Sequence, residues 1–391
     1  MTAAGQKRRH AIGFIICLGV VSLFADMTYE GAHSSISPLL LNLGATAAQV
    51  AFISGLGEML GQSLRYFSGR FASRTHAYWT ITFFGYAMNV IAVPALAFAG
   101  SWQVAAVLVA AERMGKALRG PARDVLLSEA TQEVGHGFGF GLHSVMDQTG
   151  AVVGPLLMMF GVMRTGNFHS PFLWLAAPAV GTLIALSAAR FLFPTQGASA
   201  RNPNPQPIPR IFWLYTIAAG MLAFGFVDWP LLVYRFAQTH LTSEVEIPML
   251  YAIAMGLEGA LAFVFGKMFD RYGVVTLVLG TLVSIASLPL GFLGGHLAAY
   301  ASVGCWATGM GSQDACLRSG ISQVVSMNKR GSAFGSFNGV WGVCWFAGSV
   351  SMGLLYAHSL LALVILGAAA QFASAVMFLW LRPRLPVQPP A

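Results

Sequence analysis

Long apolar runs follow one another along the whole chain, interrupted only by a few polar residues, glycines or prolines at a time. Read between these interruptions, they predict helices near 11–42, 48–72, 77–99, 102–129, 137–163 and 171–193, and a second set near 211–238, 246–270, 274–295, 298–326, 332–356 and 359–382. A helix needs about 20 apolar residues to cross the ~30 Å hydrocarbon core. In lipid it also satisfies its own backbone groups, which an open sheet cannot do. Between the two sets lies "PTQGASARNPNPQPIPR", the longest polar stretch, whose prolines and asparagines forbid a helix. The expected fold is therefore all-α and polytopic, with 12 transmembrane helices in two pseudo-symmetric six-helix bundles. Residues 1–193 and 211–391 form the bundles and 194–210 a cytoplasmic linker.

Composition agrees: of 391 residues, 56% are hydrophobic and 9% charged, against about 25% charged in a soluble domain. A net charge of +8 raises the possibility of a nucleic-acid partner. However, the basic residues sit in short loops and form no continuous patch, so nucleic acid is not expected. They read instead as topology signals. With the N-terminus inside, Lys7, Arg8, Arg9, Arg70, Arg74, Arg190, Arg201, Arg210, Arg271, Lys329, Arg330, Arg382 and Arg384 all fall on the cytoplasmic side, whereas the opposite loops hold Arg164 and a few histidines. The positive-inside rule then puts both termini in the cytoplasm of a plasma (bacterial inner) membrane. The first apolar run imitates a signal peptide, but Leu23 stands where cleavage wants a small residue, so a retained first span is expected. Cys17, Cys305, Cys316 and Cys344 share no metal-ligand or paired spacing, and no metal or cofactor is expected.

Ionisable residues inside the apolar runs change the picture most, because each costs on the order of 3 kcal/mol at the bilayer centre unless it faces protein or water. On the fourth run Glu112, Lys116, Arg119 and Arg123 recur at i, i+4, i+7 and i+11, within a stripe of roughly 60°. Asp26 and Glu30 stack at i, i+4 on the first run, Glu58 and Arg65 at i, i+7 on the second, His143 and Asp147 on the fifth, and Asp314 and Arg318 on the tenth. Depth along the helices puts Asp26, Glu58, Glu112, Arg113 and Asp147 near the midplane. An acid held between a basic neighbour and a desolvating environment can load and release a proton, so Asp26, Glu30, Glu58, Glu112 and Asp147 are the proton-coupling candidates. Arg65, Arg113, Lys116, Arg119, Asp314 and Arg318 are the substrate-binding candidates. Arg70, Arg74, Arg123, Asp124, Asp270 and Arg271 are expected as structural or gating locks at the cytoplasmic ends. Glu258 has a structural reading; Asp228 and Arg235 remain open, with Pro230 marking a helix break that could gate a cavity.

The two halves echo each other at nearly constant offset: "GRFASR" at 69–74 against "GKMFDR" at 266–271, and "GFGFGLH" at 137–143 against "SAFGSF" at 332–337. These segments carry a resemblance to the major facilitator superfamily of secondary transporters. Its loop motif Gly-x-x-x-Asp-Arg-x-Gly is complete in "GKMFDRYG", whereas "GRFASRTH" departs from it at Ser73 and His76. "RMGKALRG" from Arg113 is similar to the fourth-span motif. "GAVVGP", with Gly150, Gly154 and Pro155, is similar to the fifth-span Gly-x-x-x-Gly-Pro, where small residues permit close packing and gating motion. The resemblance spans the chain and implies alternating access, with the first, fourth, seventh and tenth spans lining a central cavity.

No phosphate loop, nucleophile elbow or zinc-protease motif appears, and the loops are too short for an enzyme domain. The expectation is a secondary transporter for a small anionic or zwitterionic solute, coupled to protons and working as a monomer. Efflux of amphipathic or cationic compounds is the alternative, supported by the likeness of "GAVVGP" to an antiporter signature. A receptor or assembly factor would need large extramembrane segments, and a copper pathway would need repeated methionine spacing; neither is seen.

Overall fold

The computed structural model describes residues 3–131, 134–193, 208–326 and 330–385. Most of the expected linker, along with Lys329 and Arg201, lies outside the described residues, and the side chain of Lys7 is likewise not described. Among the described residues the chain is helical throughout. The first set of spans is α1 (Ala3–Asn42), α2 (Ala47–Thr75), α3 (Tyr78–Ala95), α4 (Trp102–Thr131), α5 (His136–Thr165), and a sixth crossing divided into α6 (Pro171–Trp174) and α7 (Ala176–Leu192). The second set is α8 (Arg210–Gly225) continued by α9 (Trp229–Gln238), α10 (Glu246–Tyr272), α11 (Val274–Ile285) continued by α12 (Ser287–Phe292), α13 (His296–Val324), α14 (Arg330–His358) and α15 (Leu360–Leu381). Twelve crossings result, at positions close to those expected from the apolar runs. Nine of them are apolar and long enough to cross a membrane by length and composition alone among the described residues. The other three, α2, α4 and α13, hold Glu58 and Arg65, the basic stripe, and Asp314 with Arg318.

Three crossings are interrupted, and the seventh is broken most openly. Phe226, Val227 and Asp228 leave the helix, with extended backbone at Phe226 and Asp228, before Trp229 and Pro230 start α9. Pro230 lacks a backbone N–H, which costs nothing in the first turn of a helix, so the break falls just before it.

Two compact units form: residues 1–39 with 64–201, and residues 40–63 with 202–391. In the first, α3 and α4 touch through glycines: a Cβ on Gly115 would lie 2.7 Å from the Gly85 carbonyl oxygen, and one on Gly85 would lie 2.8 Å from Arg119. In the second, the first half of α2 packs on α14, with Gly55 against Ser349 and Gly342 against Met59 and Gln62. Tyr234 donates to the Ala45 carbonyl at 3.3 Å within the same unit.

Candidate functional site

Within the first unit, the basic stripe of α4 meets the polar face of α1. Lys116 Nζ lies 3.5 Å from Glu30 Oε1 and 3.3 Å from the centre of the Tyr29 ring, a cation–π contact. Arg119 Nη2 stands 3.9 Å from Asp26 Oδ1, and its guanidinium lies 4.1 Å over the Tyr86 ring of α3. Arg119 is buried, 2% exposed, yet its Nε and Nη1 have no hydrogen-bond partner among the described residues. The Gly85–Gly115 contact explains the placement, since it brings Tyr86 beneath Arg119 and Asn89 beside Glu112.

Arg113 is used up by its neighbours. Its Nη1 donates to Tyr29 OH, Nη2 donates to His33 Nδ1 at 2.9 Å, and Nε lies 3.6 Å from Glu112 Oε2. Glu112 accepts a second bond from Asn89 Nδ2 at 2.7 Å. Arg113 thus fixes the Tyr29 ring on which Lys116 rests.

A second chain of bonds joins α4, α1 and α5. Arg123 Nη1 donates to Ser22 Oγ at 3.1 Å, Ser22 Oγ lies 3.0 Å from His143 Nε2, and His143 Nδ1 lies 3.3 Å from Asp147 Oδ2. His143 thus joins Ser22 on one ring nitrogen to Asp147 on the other. The other oxygen of Asp147, Oδ1, is buried with no partner among the described residues. Gly150 and Gly154 press α5 onto α1: a Cβ on Gly154 would overlap the Met27 carbonyl, and one on Gly150 would overlap that of Leu23 and lie 3.2 Å from Asp26 Cβ.

The expected charge locks take a different form. Arg123 bonds the adjacent Asp124 at 2.9 Å, while Arg70, Arg74, Asp270 and Arg271 are exposed and form no ion pair among the described residues. At an exposed helix end an ion pair gains little, and Ser73 offers Arg74 no carboxylate. Asp314 and Arg318 are likewise exposed without forming their i, i+4 pair. Arg65 is half-buried in the first unit. Glu58, in the second, accepts a bond from Gln62 at 2.7 Å, and Asp228 at the broken crossing accepts one from Ser54 Oγ. Sequence reasoning missed Ser22, Tyr29, His33, Tyr86 and Asn89. Tyr29 and His33 stand three and seven residues from Asp26 on its own helical face, a spacing that could have revealed them.

The sequence matches the Major Facilitator Superfamily over residues 15–349. The chain belongs to this family. The major facilitator transporter described here is also 34% identical over 383 residues to an uncharacterized protein of Mycobacterium tuberculosis, covering 95% of this chain and 94% of the relative. It is 22% identical over 387 residues to an uncharacterized major-facilitator-type transporter of Methanocaldococcus jannaschii, covering 94% of each. Among solved structures, the nucleoside transporter NupG aligns with a TM-score of 0.75 at 12% identity over 94% of this chain and 99% of that one. The peptide transporter POT in complex with sulfate aligns with a TM-score of 0.73 at 14% identity, over 95% and 94%. At such identities the likeness establishes the fold alone, and membership of the family makes the chain an integral, multi-pass membrane transporter of small molecules.

Proposed function

We propose that this transporter moves a small anionic or zwitterionic organic solute by alternating access, coupled to protons, as a monomer in a bacterial inner membrane with both termini cytoplasmic. One observation carries the choice of solute: Arg119 is buried with two donor positions unpaired, beside Lys116 on the same helical face. A guanidinium offers a fork that matches a carboxylate, and a buried donor left unmade is costly, so an incoming anion supplies what the protein lacks. Lys116 and Arg119 hold the anion in this account, while Arg113 positions Tyr29. No role is assigned to Arg65, Asp314 or Arg318.

The coupling follows from competition. Arg119 and Lys116 face Asp26 and Glu30. An anion that engages the bases leaves those carboxylates without their counter-charges, and a carboxylate in that condition is neutralised by a proton. Asp147 and His143, linked through Ser22 to Arg123, offer a hydrogen-bonded route along α1 and α5. Glu112, held by Asn89 and Arg113, is the less mobile acid.

The first test is the melting temperature of the detergent-purified protein against carboxylates, amino acids, lipophilic cations and divalent metals, since a ligand of the folded state raises it. An anion or zwitterion is expected to stabilise the protein, whereas stabilisation by lipophilic cations alone would move the reading to efflux. That alternative has one observation in its favour: Gly150 of the antiporter-like motif lies directly on Asp26. A second prediction concerns the acids. In weakly buffered solution the stabilising ligand is expected to draw about one proton onto the protein, as the competition account requires. Asp26→Asn with Glu30→Gln should abolish this uptake, and persistence of uptake in the double variant would remove the first span from proton coupling.

A further inference from the structure

The second unit contains a buried wall of rings at the broken seventh crossing. Tyr251 lies 4.8 Å from Trp229, Trp229 5.3 Å from Trp306, Trp306 5.9 Å from Phe226, and Phe226 5.6 Å from Trp345, measured between ring centres. These rings come from α10, α9, α13, the break itself and α14. The break exposes backbone carbonyls that would otherwise be bonded within the helix, and two are satisfied by side chains: Trp306 Nε1 donates to Val227 at 2.9 Å and Gln371 Nε2 to Gly225 at 2.9 Å. The wall's remaining polar groups are surplus to that need. Trp229 Nε1, Trp345 Nε1 and both amide atoms of Gln313 are buried with no partner among the described residues.

Gln313 shares a helical face with one member of the wall. On α13, Trp306, Gly309 and Gln313 are spaced i, i+3 and i+7 and fall within a stripe of roughly 60°. Gly309 abuts Phe226, where an added Cβ would lie 2.7 Å from the ring. Gln313 is 4% exposed and Trp345 6%. Buried amides and indole N–H groups are nearly always bonded, and a wall serving only to fill space would do so with phenylalanine, leucine or methionine. Rings bind other rings through offset or edge-to-face contact, while the unpaired N–H groups call for acceptors at the edge of whatever lies against them.

We propose that this wall binds a planar, π-bearing solute, or the planar part of one, with hydrogen-bond acceptors at its rim. The inference rests on the reading of the chain as a carrier of small organic solutes, but not on the charge assigned to its cargo. The test therefore uses a neutral pair, nicotinamide and cyclohexanecarboxamide, which share the carboxamide and differ in the ring. Binding to the full-length protein in detergent is followed by calorimetry and by quenching of tryptophan fluorescence. Nicotinamide is expected to bind about tenfold more tightly than the saturated amide. Trp345→Phe, which keeps a ring and removes the N–H, and Gln313→Met should each weaken nicotinamide by about tenfold. Both variants should melt no lower than the parent, because each deletes a polar group that the fold leaves unpaired. Gly141→Ala on α5, where an added Cβ meets nothing within 4 Å, should leave nicotinamide binding unchanged and serves as the control for the two variants. Equal affinity for the two amides, no binding of either, unaltered binding in the two variants, or a lowered melting temperature in both would overturn the proposal.

Discussion

Replacing Arg119 by alanine is expected to weaken binding of a stabilising carboxylate or amino acid by about 10- to 100-fold, the loss of 1.5–3 kcal/mol typical of hydrogen bonds to a charged group. Arg119→Lys keeps the charge but not the fork, and should fall between the parent and alanine. The dependence of melting temperature on ligand concentration gives the affinity for all three proteins. The ligand-free proteins carry a second signal. Arg119 lies 3.9 Å from Asp26, so the alanine variant deprives that carboxylate of a buried counter-charge. Its destabilisation should be greatest at alkaline pH, where Asp26 is ionised, and should shrink as pH falls and the acid becomes neutral. Unchanged affinity in Arg119→Ala would leave the basic stripe as a structural feature only.

Gly154→Val is expected to damage the fold more than any substitution at the charged residues. The glycine's Cβ direction is occupied by the Met27 carbonyl, and on the other side Gly31 stands against the Gly154 carbonyl, an added Cβ there lying 3.1 Å from its oxygen. Backbone meets backbone, so no rotamer change can relieve the clash. Overpacking costs typically 1–3 kcal/mol where side chains can move, and here the upper end or beyond is expected, a fall of about 4 °C or more in melting temperature. Gly141→Ala on the same helix meets nothing within 4 Å and should melt like the parent. A Gly154→Val protein that elutes as a single species, melts normally and still responds to ligand would show that this contact is dispensable.

The spans were legible because twenty-residue apolar runs have few alternatives in lipid, and the positions of α1 to α15 follow them closely. Charge periodicity also exposed the α4 stripe and its acidic counterparts on α1, since ionisable groups in hydrocarbon must share a face with something polar. Pairings were less legible. Asp314 and Arg318 stand one turn apart yet do not meet, because an exposed pair gains little from closing. Tyr86 and Asn89 of the first unit, and Gln313 of the second, gave no signal of their own, since aromatic and amide residues are common in helices whether or not they face a site. What selected them was contact: Gly85 against Gly115, and Gly309 against Phe226, neither of which can be read from a single strand of sequence.

In the first unit, Gly150 and Gly154 cement α5 to α1 and Gly85 and Gly115 cement α3 to α4, while Gly139 of α5 rests on Thr131 at the end of α4. Asp26, Glu30, His143 and Asp147 stand on α1 and α5, Lys116, Arg119 and Arg123 on α4, and the links Lys116 to Glu30, Arg119 to Asp26 and Arg123 to Ser22 cross from α4 to α1. In the proposed mechanism proton and cargo would therefore act along a single seam, where electrostatic adhesion is adjustable while the glycine contacts are not. In that proposal the unit has a fault line: loading would change how firmly α1 and α4 adhere across these charged links.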